Sequence, residues 1–199
     1  TPKPSSAASD VYKRQPRSIG LYGGFFNPFH NGHLHVMQTS LQSLNLEKLV
    51  VLPTYHNPLK SNSHTSSIHQ QILNIESEMK LSNVQVSDFE HVHQITSTYE
   101  LLQKIQTIYP LTSCYLIMGL DQLGKLHLWK DYQWIIQNIS ICVIYRPRYD
   151  DFIENSTVQK ENPELFVPDL ATFINHSTPC IHIIEGDGVD ISSSELRHR

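Results

Sequence analysis

The chain has 199 residues, 39% of them hydrophobic and 17% charged, with a formal net charge of −4. That is the length and composition of one globular domain with a substantial core. It excludes a protein that coats nucleic acid, because no broad basic face is available. The longest apolar run, Ile139–Tyr145, is far too short to cross a membrane.

The first 17 residues, TPKPSSAASDVYKRQPR, are polar and without a hydrophobic period, and DVYKRQ reads like a translated sequencing-library adapter. They are set apart as a disordered or non-native extension, and the domain is placed at 18–199. From there, short β-branched runs alternate with helical patterns. SIGLYG (18–23) predicts a strand, residues 33–45 a helix, and KLVVLPT (48–54) a second strand. Residues 66–80 predict a helix with Ile68, Ile72, Ile75 and Met79 on one face. NVQVSDFE (83–90) predicts a third strand, and residues 97–110 a helix stopped by Pro110. SCYLIMG (113–119) is a buried strand, 131–138 a short helix, and 139–146 another buried strand. Residues 147–179 form a polar connector with room for one short helix, and CIHIIEG (180–186) is a sixth strand. SSSELRHR then opens a helix.

Near-continuous apolar strands alternating with helices imply an α/β fold: a doubly wound, Rossmann-like parallel sheet of about six strands with helices on both faces. Such sheets bind ligands beyond the carboxyl ends of their strands. The stretches expected there are GGFFNPFHNGH, PTYHNPLK, MGLDQL, YRPRY and GDGVDISSSELR, all polar or glycine-rich. Cys114, Cys142 and Cys180 are an odd set without CxxC spacing, and each lies in or beside an apolar run. They read as reduced, buried thiols of a cytoplasmic protein.

In GGFFNPFHNGH (23–33), Gly23 and Gly24 are expected to turn the chain sharply off the first strand. His30 and His33 are three apart near a helix start, where free N–H groups and the helix dipole favour an anion. Two surface histidines in a turn, or a metal pair lacking its third ligand, are the competing readings. The glycine pair directly after a strand favours phosphate, to which imidazoles donate and toward which they charge near neutral pH.

This stretch resembles the GG-x-F-[DN]-P-x-H-x-G-H signature of the HxGH nucleotidyltransferases. Further segments resemble bacterial nicotinate-nucleotide adenylyltransferases, in family order from about residue 19 to 199. PTYHNPLK resembles their P-x-x-x-P-P-H-K loop, TSTYELL their S-Y-T-x-x-T-L helix start, and MGLDQLGKLHLWKDYQWI their G-x-D-x-L-x(6)-W segment. IYRPRY resembles the R-R-P-x-Y strand end, and DISSSELR the I-S-S/A-T-x-I-R helix start.

The resemblance implies adenylyl transfer from ATP to nicotinate mononucleotide, giving deamido-NAD and pyrophosphate, in NAD biosynthesis. It implies catalysis by His30 and His33, with Mg²⁺ carried on the substrate phosphates and no metal ligands from the chain. ATP would be held by Gly23, Gly24, Phe25, His30, His33, Lys60, Gly119, Asp121, Ile191, Ser192, Ser193 and Arg197. The mononucleotide would be held by Thr98, Trp129 and Arg146, with Trp129 stacked on the pyridine ring. Competing local roles stand beside these: helix caps for Asp121, Thr98 and the serines, packing for Trp129, and a surface position for Arg146. Trp134 is expected in the core.

The chain departs from the family pattern at several positions. Phe25 stands where a small residue is usual, Asn57 replaces a proline, Leu59 replaces the loop histidine, and His69 replaces an arginine. The chain also stops short of the family's closing helix. The rival readings are another HxGH enzyme, such as a pantetheine-phosphate adenylyltransferase, and a degenerate, non-catalytic nucleotide-binding paralogue. The oligomeric state is left open.

Overall fold

A computed structural model describes residues 19–54, 67–147 and 156–185. The N-terminal extension, Leu59, Lys60 and the last predicted helix, with Ile191, Ser192, Ser193 and Arg197, lie outside the described residues.

Six strands form one parallel sheet: β1 (Ile19–Gly24), β2 (Lys48–Pro53), β3 (Val84–Val86), β4 (Cys114–Gly119), β5 (Ser140–Ile144) and β6 (Ile181–Ile184). Their order is β3-β2-β1-β4-β5-β6, with every neighbouring pair parallel. The order reverses between β1 and β4, so this is the switch point where a doubly wound sheet opens a crevice.

Alternation along the strands sends side chains to two cores. Tyr22, Leu49, Val51, Tyr115, Ile117, Cys142 and Ile144 face one side. There they meet α1 (Asn31–Leu44) through Val36 and Met37, and α2 (Ile68–Glu78) through Ile75. Leu21, Leu52, Leu116, Met118, Ile141 and Val143 face the other side. A very short α3 (Phe89–Val92) precedes α4 (Thr98–Gln106), whose Leu101 and Leu102 cover that face. The one-turn α5 (Leu120–Leu123) follows β4, and α6 (Tyr132–Asn138) adds Ile135 and Ile136. Both faces of the sheet are therefore covered, as its unbroken apolar strands require. All three cysteines are buried and unbridged. Trp134, expected in the core, is only half-buried and stands edge-on to Tyr99 at 5.3 Å.

Two elements differ from expectation for local reasons. The third strand ends at Val86. Ser87 still donates its N–H to Val51 O, but its Oγ accepts the N–H of Phe89 and starts α3. The described part of the connector holds two short helices, α7 (Thr157–Glu161) and α8 (Leu170–Asn175). Ser156 and Asp169 cap them, accepting the N–H groups of Gln159 and Thr172. Both are cap signals that the sequence carries.

The described part of α1 ends on Asn45, which adopts φ 49 and ψ 49 and donates its N–H to Leu41 O. Asparagine tolerates this left-handed conformation; alanine does not. Asn45→Ala is expected to cost about 1 kcal/mol, which lowers the melting temperature by roughly 2–4 °C in a protein of this size. Asn45→Gly should leave it unchanged or raise it, and thermal unfolding of both variants checks this.

Candidate active site

The loop between β1 and α1 is built differently from its sequence expectation. Gly23 and Gly24 remain in β1, paired with Leu52 and Pro53, and no glycine among the described residues has positive φ. The turn falls instead on Phe26, at φ 46, a conformation that bulky side chains rarely adopt. Packing holds it there. Phe26 is 2% exposed, edge-on to Tyr22 at 5.1 Å and to His33 at 4.9 Å. Its ring folds back over Gly24, where a Cβ would lie 2.9 Å from Cζ. Gly24 is thus required by the phenylalanine after next, not by its own dihedral. Phe25, at the position usually held by a small residue, turns its side chain inward and is buried.

His30 and His33 fix the first turn of α1. His30 is the N-cap: its Nδ1 accepts the Gly32 N–H at 3.0 Å, while His33 Nδ1 accepts the His30 N–H at 3.2 Å. This is a capping box built from two imidazoles, satisfying backbone donors that a helix start leaves over. The rings stack with centroids 3.7 Å apart, and Phe29 stacks on the outer side of His33 at 5.5 Å. A nitrogen that accepts a backbone N–H carries no proton, so each neutral ring bears its hydrogen on Nε2. The pair therefore carries its protons on Nε2 while remaining neutral, and the Nε2 of His30 is buried. Charging either ring would require giving up a cap. The sequence suggests imidazoles that gain charge near phosphate; the geometry favours donation without it.

Arg146 follows β5 and is 7% exposed. Its Nη1 donates to Asp121 Oδ1 at 3.1 Å. A Cβ on Gly32 would lie 2.9 Å from Nη2 and 2.8 Å from His30 Cε1. Gly32 is therefore the space in which the guanidinium and the imidazole meet the helix start. Asp121 lies in α5, whose N-cap is Gly119, and makes no capping bond there. Burial, and secondarily the Arg146 charge, lower the pKa of His35 on α1. His30, Gly32, Arg146 and Asp121 thus form one contiguous group across the switch point.

Thr98 and Trp129 form a second group. Ser97, not Thr98, caps α4, accepting the Glu100 N–H, and Thr98 is the half-buried first residue. Trp129 closes the tight turn Leu126–Leu128 and is half-buried against the α4–α6 core. Glu100 accepts from Lys130 Nζ at 2.7 Å and from Thr96, which ties the start of α4 to the tryptophan turn. The Lys130 bond leads these in drawing the Glu100 pKa down to about 2.

One residue of this region was not singled out from the sequence. Glu90, in α3, is 5% exposed, and its Oε1 lies 3.9 Å from where a Cβ on Gly23 would stand. The run NVQVSDFE reads as continuous strand, which concealed the helical turn that delivers this carboxyl to β1. Among the described residues no group of three or more His, Cys, Asp and Glu side chains is placed to hold a metal. None of their helices is long and apolar enough to cross a membrane.

A family model described as cytidylyltransferase-like matches residues 21–199. A "Probable nicotinate-nucleotide adenylyltransferase" of Methylorubrum extorquens is 31% identical over 183 residues, covering 91% of this chain and 99% of that protein. The protein of the same name from Flavobacterium psychrophilum is 35% identical over 183 residues, covering 90% and 84%. Among solved structures, Plasmodium falciparum nicotinic acid mononucleotide adenylyltransferase complexed with NaAD superposes with a TM-score of 0.65 at 19% identity, covering 92% of this chain and 83% of that one. The same enzyme complexed with APC gives 0.62 at 18% identity. At that identity the structures speak for the doubly wound fold, while the sequence relatives extend over almost the whole chain. By that relationship, the chain belongs to the cytidylyltransferase-like family, among the nicotinate-nucleotide adenylyltransferases.

Proposed function

We infer that the protein transfers the adenylyl group of ATP to nicotinate mononucleotide, releasing pyrophosphate and forming deamido-NAD for NAD biosynthesis. The observation that carries this reading is the stacked His30–His33 pair at the N-terminus of α1, beside the switch point. Two neutral donors and a helix start converge where a polyphosphate would lie. The names of the relatives and the ligands of the solved neighbours support the same substrates. The three unbridged cysteines suit a cytoplasmic setting.

In the reaction, a phosphate oxygen of the mononucleotide attacks the α-phosphorus of ATP. The bond from that phosphorus to the bridging oxygen breaks, and pyrophosphate leaves with its electron pair. A phosphate nucleophile needs no general base, so the protein positions the reactants and neutralises developing charge. His30 and His33 donate Nε2–H to the phosphate oxygens. Gly23, Gly24 and Phe25 offer backbone to the nucleotide, and Gly119 and Asp121 hold its ribose side. Arg146 holds Asp121 in place and lies within reach of an anionic substrate beside it. Lys60, Ile191, Ser192, Ser193 and Arg197 are assigned to ATP by the family pattern. Thr98 and Trp129 receive the mononucleotide.

Mg²⁺ carried on ATP would supply charge neutralisation at its phosphates. Asp121 is already engaged by Arg146, so the donor set suits an ion held by phosphate oxygens and water rather than by a protein cage.

The direct test measures pyrophosphate release with ATP plus nicotinate mononucleotide, nicotinamide mononucleotide or phosphopantetheine in turn. Release with the first overturns the degenerate-paralogue reading, and release only with the last overturns the assignment. His33→Ala should lower kcat by about 10²-fold or more, the usual cost of one transition-state donor, with little change in ATP affinity; near wild-type turnover would remove His33 from the mechanism. Trp129→Ala should raise KM for the mononucleotide and leave that for ATP nearly unchanged. Equal effects on both would mark it as a packing residue. Gly32→Ala should displace His30 and Arg146 and cost roughly 10–10² in kcat/KM, while the protein still unfolds cooperatively in a thermal melt.

A further inference from the structure

The carboxyl of Glu90 is a group that neither the family signature nor the reaction above uses. It is 5% exposed, its oxygens are not wholly sealed from solvent, and it makes no side-chain hydrogen bond among the described residues. A carboxyl so placed costs free energy unless it is kept protonated or a ligand completes it. Its position is specific. The four-residue α3 turns it back across the end of β2, so that Oε1 stands 3.9 Å from the Cβ position of Gly23 and the Leu52 carbonyl lies at the same distance from that point. Gly23 is exposed at the carboxyl end of β1. Any group laid against that glycine therefore meets Glu90.

The side of the sheet is equally specific. Asp121 and Arg146 follow β4 and β5, whereas Glu90 follows β3, on the other side of β1. The Ile95 N–H bonds to Glu90 O at 2.8 Å, which fastens α3 to the segment that enters α4 at Thr98. The Glu100–Lys130 bridge then links α4 to Trp129. Glu90 thus stands on the β3 side of the crevice, linked through α4 to Thr98 and Trp129, while Arg146, also assigned to the mononucleotide, stands across β1.

Resting on the adenylyl-transfer reading, we propose that Glu90 is an acceptor-binding residue: its buried carboxyl, beside Gly23 at the end of β1, donates a hydrogen bond to an anionic oxygen of the bound mononucleotide. Burial raises its pKa to about 8, and among the described residues no charged side chain offsets it. The groups around it agree. Gly23 on β1 and Leu52 on β2 carry no charge. Tyr22 points to the opposite face of β1; burial raises its pKa, with smaller effects from Arg146 and Asp121. On its own turn stand Asp88, His91 and His93, and His93 is packed on the Phe89 ring. Lys60, in the loop after β2, lies outside the described residues. At neutral pH the carboxyl is largely protonated and acts as a donor; above about pH 8 it becomes an anion facing an anion.

The test is the pH dependence of kcat/KM for nicotinate mononucleotide between pH 6.5 and 9.5, at saturating ATP, for the wild type, Glu90→Gln and Glu90→Ala. The wild type should lose activity toward the acceptor as pH rises through about 8, approaching tenfold per pH unit, through KM rather than kcat. Glu90→Gln, which keeps a neutral donor, should lack that fall. Glu90→Ala should lack it too and show a raised acceptor KM at every pH, with KM for ATP unmoved. A readout independent of activity follows from the same burial. The unfolded carboxyl ionises near pH 4.5 and the folded one near 8, so the wild-type melting temperature should fall between these values as pH rises, and Glu90→Gln should fall less. The same alkaline fall in Glu90→Gln as in the wild type, or an unmoved acceptor KM in Glu90→Ala, overturns the proposal alone. Absence of pyrophosphate release by the wild type at every pH overturns the adenylyl-transfer reading and this proposal with it.

Discussion

The reciprocal bonds between His30, His33 and the first turn of α1 organise the rest of the site. They set where the helix begins, which ring nitrogen carries the proton, and how closely the two imidazoles stack. Everything nearby is shaped to allow them. Phe26 accepts a left-handed backbone so that its ring can wedge between Tyr22 and His33. Gly24 gives that ring room, and Gly32 gives room to His30 and Arg146. The strain at Phe26 is of the kind that persists where surrounding packing over-determines a conformation, commonly at sites of function.

A parallel sheet explains why these distant segments meet. Each strand delivers its following loop to the same edge, so residues 23–33, 119–121 and 146 converge although more than a hundred positions separate the first from the last. The crevice divides into two sides of unlike chemistry. One carries an ion pair between the buried Arg146 and the partly exposed Asp121. The other carries the buried Glu90 carboxyl and the half-buried Trp129 ring. A buried pair is costly to break because the remaining charge would stand alone, so Asp121 is held in one orientation before any nucleotide arrives.

Much of this was legible in the residues. The apolar runs specified six parallel strands and both helical layers, because a strand buried on two faces must be apolar throughout. The histidine spacing and the following helix placed two imidazoles at a helix start beside the switch point. What escaped was local geometry that tertiary packing decides. The expected glycine turn became a phenylalanine turn because the ring's burial outweighs its unfavourable dihedral. The third strand stopped after three residues because the Ser87 hydroxyl captured the next N–H. Thr98 gave up the cap to its neighbour Ser97. The pairing of Asp121 with Arg146, 25 positions apart, had no sequence signal at all. The readings for Lys60, Ser192, Ser193 and Arg197 rest on the family pattern alone.

The capping role of the two histidines bears on how such sequences diverge. A residue that served chemistry only would be free to drift once the chemistry was lost. His30 and His33 also hold backbone donors of α1, a contribution of about 0.5–2 kcal/mol for a capping side chain, against a total stability of roughly 5–15 kcal/mol. A descendant lineage with no use for the reaction would still be selected to keep at least one of them, for folding. In this fold the loss of either histidine would therefore cost stability at the helix start as well as the donor it offers to phosphate.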